Sequence, residues 1–216
     1  MSGLVWLALF GCPKSGVDGG DASPGDATSE AVSRLAPPHH SVVWTENLAF
    51  GALPAVTVRI QQDWSAVERQ GNRATYVLTE QRIDAEGAKV RDATRVFYGA
   101  EGYGYLEAQD SAKVWQGWDP PQVVLPPDPS PGTTWTTTHL RAGKSSERTC
   151  ELMPNDKCLG GVISVCESRS DSKRRIFRDF FCPGIGWSGF EALQVAPEGQ
   201  VRIWSTDVVI DGKPVP

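Results

Sequence analysis

No apolar run in this chain approaches the ~20 residues that a membrane-spanning helix needs. Histidine is scarce: His39 and His40 are adjacent and His139 stands alone. None of the three sits in an HExxH pattern, and no GxSxG elbow, Walker loop or CxxC pair occurs, so hydrolysis through a nucleophile or zinc and thiol redox chemistry have no visible machinery. Basic residues are in the minority, 21 Lys and Arg against 26 Asp and Glu, for a net charge of −5. That balance excludes a broad electrostatic grip on nucleic acid phosphates. Helical periodicity is also nearly missing, because 22 glycines and 16 prolines interrupt the chain at short intervals. Ser29–Leu35 is the best helix candidate.

What is present has a period of two. Ala55–Ile60 places Val56, Val58 and Ile60 on one face and Thr57 and Arg59 on the other. Val201–Ile210 is β-branched and aromatic and ends at the turn pair Asp211-Gly212. Arg73–Ile83 and Lys89–Tyr98 flank a short glycine-containing loop, a hairpin pattern. Gly102–Leu106, Ala112–Trp115, Gln122–Leu125, Thr133–Arg141, Glu147–Leu152, Gly161–Ser168, Arg174–Cys182 and Ile185–Val195 complete the expected strands, with Trp118-Asp119-Pro120-Pro121 as a rigid turn. The fold class is therefore all-β and antiparallel. A sheet of this many strands curls, closes or splits, so the expected architectures are a curved sheet or half-barrel, or a β-sandwich, in a single domain over residues 40–216.

The front of the chain has a different composition. Residues 1–11 carry no charged side chain and have the length of an export-signal centre. Leu9-Phe10-Gly11-Cys12 resembles the lipobox of bacterial lipoproteins, although Phe10 is bulkier than the usual residue and no basic residues precede it. The resemblance implies lipid attachment at Cys12 and anchorage at a bacterial envelope membrane. Residues 12–39 are rich in Gly, Pro, Ser and Asp and read as a disordered tether, with a reach of roughly 25–30 Å as a flexible coil. His39 and His40, behind Pro37-Pro38 at its edge, are expected in solvent.

Cys12 aside, four cysteines remain: Cys150, Cys158, Cys166 and Cys182. An even set in an exported chain reads as a disulfide framework with three possible connectivities. Closing the shorter loops favours Cys150–Cys158 with Cys166–Cys182.

Gly160-Gly161-Val162-Ile163-Ser164-Val165, followed by Ile176-Phe177-Arg178-Asp179-Phe180-Phe181-Cys182-Pro183-Gly184-Ile185-Gly186, is similar to a pattern in a group of bacterial envelope lipoproteins. Gly132-Thr133-Thr134-Trp135 looks like the second half of another of their motifs. The similarity covers about residues 120–195. It implies a curved antiparallel sheet with a greasy concave face, and supplies no catalytic residue to carry over.

Of the constellations that could carry chemistry, Gly184-Ile185-Gly186-Trp187-Ser188-Gly189 matches the dinucleotide fingerprint literally, but strands surround it where a helix is required. It reads as a turn. The carboxylates Glu101, Glu107, Asp110, Glu167, Asp179 and Glu191 are scattered and expected in solvent, and Lys173-Arg174-Arg175 with Arg178 forms a basic hairpin tip. Tyr98, Tyr103, Tyr105, Trp115 and Trp118 are the aromatic set from which a ligand platform can be built. The reading is a membrane-tethered lipoprotein of binding or scaffolding type that is not an enzyme and needs no cofactor or metal. A lipid, a glycan or an envelope protein is its expected ligand. A carrier for an apolar ligand in a concave sheet and a small β-fold hydrolase are the alternatives.

Overall fold

The structure, a computed structural model, describes residues 32, 34, 35, 39–70, 73–84, 87–141, 143–170, 173–196 and 199–215. The signal segment, Cys12 and the tether up to residue 31 lie outside them. The strands are β1 (Ser41–Phe50), β2 (Val56–Gln70), β3 (Arg73–Asp84), β4 (Gly87–Gly99), β5 (Gly102–Gln109), β6 (Trp115–Leu125), β7 (Thr134–Arg141), β8 (Lys144–Asn155), β9 (Gly161–Ser170), β10 (Lys173–Cys182), β11 (Gly186–Ala196), β12 (Gly199–Ile210) and β13 (Lys213–Pro214). Each pairs with the next, and β1 also pairs antiparallel with β12 from Val42↔Ile210 to Phe50↔Val201. The all-β antiparallel fold is thus a closed barrel of twelve strands, with β13 folded back on β12. Closure removes the exposed edges that a half-barrel would leave. The narrowest seam is between β6 and β7, where Asp119↔Leu140 is the registered pair. The expected turn Trp118–Pro121 lies inside β6. Pro120 and Pro121 have no N–H to donate, and the sparsely paired side of β6 tolerates them.

Alternation sets what faces inward. In β3 the inner row is Tyr76, Leu78 and Glu80; in β8 it is Leu152, Cys150 and Arg148; in β10 it is Phe181, Asp179 and Phe177. At the end formed by the β4–β5, β8–β9 and β10–β11 turns the inner rows are apolar. Leu78, Val96, Tyr98, Tyr103, Leu125, Leu152, Val162 and Phe181 form a buried floor there. Ser164 Oγ donates to Val124 O at 2.7 Å and fastens β9 to β6 within it. Toward the opposite end the same rows turn polar.

The floor is completed from the N-terminal side, which corrects the expected boundary. Val32 and Leu35, 1% and 4% exposed, are helical and belong to this core cluster. Gly184 N in the β10–β11 turn donates to Arg34 O at 2.9 Å. The packed body therefore begins before residue 40. Two apolar side chains in an otherwise polar stretch are enough to dock it, because the barrel end offers them a fully apolar partner. His39 is also buried, not solvated: its ring meets Trp64 edge-on with centroids 5.5 Å apart. Burial lowers its pKa, against the opposing pull of Asp211. Asp211 accepts from the backbone N–H of His40 and Ser41 and fixes the entry into β1. His40 is exposed.

The four body cysteines form two disulfides in a different pairing from the expected one: Cys150–Cys166 and Cys158–Cys182. The cause is the hairpin register. Cys158 lies midway between Cys150 and Cys166 in sequence, so a hairpin turning there sets those two opposite each other on β8 and β9, with Cα atoms 4.1 Å apart. Cys158, in the turn, reaches the end of β10 instead. Peptide mapping without reduction is expected to recover the 150–166 and 158–182 linked pairs. In the chain-entropy picture each closure contributes on the order of 3 kcal/mol, and recovery of a 150–158 fragment would overturn this register.

Candidate functional site

Above the floor lies a cavity of about 320 Å³ within the barrel, at the small end of the range for ligand pockets. Its walls are unusually aromatic. Trp44, Trp187 and Phe190 stand on one side; Tyr103, Tyr105 and Trp118 on another; Trp64 and Phe177 complete the lining. These rings hold one another: Trp44 meets Trp187 edge-on at 5.4 Å, Trp187 stacks on Phe190 at 6.1 Å, and Tyr105 lies 5.9 Å from Trp118. Networks of this kind leave little rotamer freedom, so the cavity shape is set before anything enters it.

The polar lining is the second feature. Glu46, Glu80, Asp179 and Arg148 face the cavity with Gln62, Thr94 and Gln122. Trp64 Nε1 donates to Gln62 Oε1 at 2.8 Å, and Gln62 Nε2 donates to Glu80 Oε1 at 3.0 Å, a chain that orients the glutamate. Asp179 accepts from Trp187 Nε1 at 3.1 Å. Desolvation pushes the Asp179 carboxyl up to about 6, with the Trp187 bond and the Arg148 charge pulling the other way. Asp179 is half-buried on the cavity wall. Burial likewise raises the Tyr105 hydroxyl, which feels Tyr103, Asp179 and Glu80, while Arg148 opposes. Arg148 lies over the Phe177 ring, 4.7 Å from its centroid, with its pKa lowered by burial.

Two buried polar atoms on the cavity wall have no hydrogen-bond partner: Gln122 Oε1 and Trp44 Nε1. Gln122 is 4% exposed and Trp44 3%. The position of Gln122 is fixed by a close approach of β5 and β6. Gly104 faces the Gln122 carbonyl where any Cβ would collide with it.

Of the aromatic set expected from sequence, Tyr103, Tyr105 and Trp118 line the cavity. Tyr98 sits behind them in the floor, its ring 4.7 Å from Tyr103. Trp115 lies beneath the Arg95 guanidinium, beside the Arg95–Glu107 ion pair, and does not line the cavity. Asp179 alone of the scattered carboxylates reaches the cavity. Glu101 pairs with Arg73, Glu167 with Arg169 and Arg174, and Glu191 with Arg178 and Arg202, which also accounts for much of the basic hairpin tip. Asp110 caps its own turn through the N–H groups of Ala112 and Val114. Gly184 belongs to the β10–β11 turn and Gly186 opens β11, so the glycine run is a strand connection. His139 is buried, and its pKa is lowered by burial and by Arg148. Among the described residues no group of His, Cys, Asp and Glu has the arrangement of a metal site.

The fold and cavity together define a closed antiparallel β-barrel with an aromatic, acid-lined interior. No family model and no curated protein matches the chain. Among solved structures it is similar to a candidate exported protein with a YmcC-like fold from Bacteroides fragilis, at 10% identity and a TM-score of 0.38, over 84% of this chain and 99% of that one. It is also similar to a candidate lipoprotein from Parabacteroides distasonis, at 9% identity and a TM-score of 0.40, over 83% and 97%. Neither likeness bears on what this barrel holds.

Proposed function

We propose that this chain is an exported, membrane-tethered lipoprotein whose barrel binds a small ligand and does not transform it. The observation that carries the binding reading is the cavity of about 320 Å³, ringed by mutually braced aromatics and presenting buried, unpartnered Gln122 Oε1. Keeping that acceptor desolvated and unbonded costs on the order of 1–3 kcal/mol, which a donor on a ligand recovers. The charged lining speaks against simple carriage of an acyl chain, since a hydrocarbon would leave those groups buried against it. The tethering half of the reading rests on Leu9–Cys12 and the polar stretch that follows. It also suits the fold: Val32 and Leu35 bring the N-terminal side of the body to the floor, at the barrel end away from the polar rows.

Two measurements test these halves separately. Cys12→Ala is expected to move the protein from the membrane fraction to the soluble one, and intact mass is expected to show a diacyl or triacyl modification on the native chain alone. Unmodified mass on membrane-extracted protein sinks the anchor. For the cavity, titrations following tryptophan fluorescence are expected to reveal a saturable change that Trp44→Phe alters, because stacking or burial changes indole solvation. The expected product of prolonged incubation is unchanged ligand. Conversion would move the reading to the enzyme.

A further inference from the structure

Resting on the reading of Cys12 as a lipid anchor, we infer that the end of the barrel opposite the floor lies on the bilayer surface, with the β1–β2 turn dipped into the headgroup region. That turn has an unusual composition. Phe50-Gly51-Ala52-Leu53-Pro54-Ala55-Val56 has no polar side chain, and all seven residues are exposed, whereas turns in water are built mostly from Gly, Pro, Asn, Asp and Ser. Phe50, Leu53 and Val56 are 49%, 67% and 56% exposed. The turn is held in place: Leu53 N donates to Phe50 O at 3.0 Å, and Gly51 N donates to Gln200 O of β12 at 2.9 Å. With those two N–H groups bonded and none on Pro54, entry into a lipid interface strips fewer donors of water.

The rest of that rim continues the pattern. The antiparallel meander puts the β1–β2, β5–β6, β7–β8 and β11–β12 turns at one end and the floor turns at the other. Six of the eight large apolar side chains exposed among the described residues lie at the first end: the three in the turn, Val114 just before β6, Leu140 near the end of β7 and Val195 near the end of β11. Met153 and Leu159 are the two at the floor end. Exposed apolar surface concentrated in this way marks a contact with protein or membrane. The six are spread round the ring of strands, so a partner with one compact face covers some and leaves others in water. A fluid plane meets all of them at once. Charged side chains at this end carry both signs, Asp110, Lys113 and Lys144 among them, so the attraction is apolar.

The length of chain behind the anchor permits this pose. Val32 packs at the floor and lies twenty positions after Cys12, a connection of at most roughly 70 Å. The ten residues of β1 span roughly 33 Å, and less along the axis of tilted strands. The membrane that holds Cys12 is therefore within reach of the far rim, and the apolar side chains decide which end meets it.

The test uses the full lipidated chain in vesicles of phosphatidylethanolamine and phosphatidylglycerol, with a nitrobenzoxadiazole label on one introduced cysteine. Leu53→Cys and Val114→Cys report on the rim, and Leu159→Cys on the floor end. Nitroxide-bearing lipid is expected to quench each rim label about threefold more than the floor label, with a blue shift at the rim alone. Two rim positions keep the result readable if one variant is poorly folded. Phe50→Ser combined with Leu53→Ser is expected to bring the residue-114 label down to the floor level. Replacing phosphatidylglycerol by phosphatidylcholine is expected to change nothing, and loss of quenching there would assign the contact to charge and overturn the apolar reading. Quenching confined to the floor label, or equal at all three sites, overturns the inference. So does a rim shift that appears without vesicles and grows with protein concentration, which gives the rim to a second copy. Intact mass reads the anchor separately: if Cys12 is unmodified the tether reading falls, and the labelled chain added to the same vesicles still decides the rim.

Discussion

Leu35→Asp is expected to lower the melting temperature by roughly 6–12 °C, which corresponds to about 3 kcal/mol for a domain of this size. As part of a disordered tether, residue 35 would tolerate any polar substitution within about 0.5 kcal/mol. In the structure its side chain is 4% exposed and packs with Val32 into the floor beside Leu152, Val162 and Phe181. An aspartate there either carries its charge into an apolar cluster or undocks the segment and bares the floor to water. Both routes lose the burial of Leu35, and the second also loses the Gly184 to Arg34 hydrogen bond. Deleting residues 1–38 is expected to destabilise in the same direction, whereas deleting residues 1–25 leaves stability unchanged. A melting temperature indifferent to Leu35→Asp would return residues up to 39 to the tether.

The strands were legible because alternation is local: Val56-Thr57-Val58-Arg59-Ile60 declares its two faces within five residues. Closure was not, because pairing β1 with β12 joins Val42 to Ile210, and nothing in either segment names the other. The disulfides lay between these cases. The equal spacing of Cys150 and Cys166 about Cys158 contains the observed register once β8 and β9 are read as one hairpin, and preferring the shortest loop hid it. For the site, the aromatic cluster drew attention to Tyr103, Tyr105 and Trp118, yet half of the aromatic wall comes from Trp44, Trp64, Trp187 and Phe190, dispersed along the chain and gathered only by closure. The acidic residues did leave a signal. Asp179 keeps step with Phe177 and Phe181, Glu80 with Tyr76 and Leu78, Glu46 with Val42 and Trp44, and Arg148 with Cys150 and Leu152. Phase with an apolar row does not decide the face by itself, since Glu167 keeps step with Ile163 and Val165, and Arg178 with Ile176 and Phe180, on the outer side.

The same phase argument gives the sharpest pH test. Asp179→Asn is expected to stabilise the ligand-free protein at pH 7.5 and to leave it unchanged near pH 3.5. The native carboxyl titrates at about 6 against 3.8 for the unperturbed group. A raised carboxylate pKa means that the folded chain binds the proton more tightly than the unfolded chain. Its neutral form is therefore favoured by folding, and stability falls as pH rises through the window from about 4 to about 6. Two units correspond to about 3 kcal/mol at full ionisation. The groups that meet Asp179 in the barrel are Arg148 from β8, Tyr103 and Tyr105 from β5, and Trp187 from β11. Asparagine keeps an acceptor for the Trp187 N–H while removing the charge. His39, whose lowered pKa destabilises the fold in acid, contributes equally to both proteins and cancels in the difference. Subtracting the two stability curves should give a line near zero below pH 4 that climbs to about 3 kcal/mol by pH 7. A flat difference, or one of opposite sign, would mean that Asp179 is well solvated through the cavity and carries no burial cost.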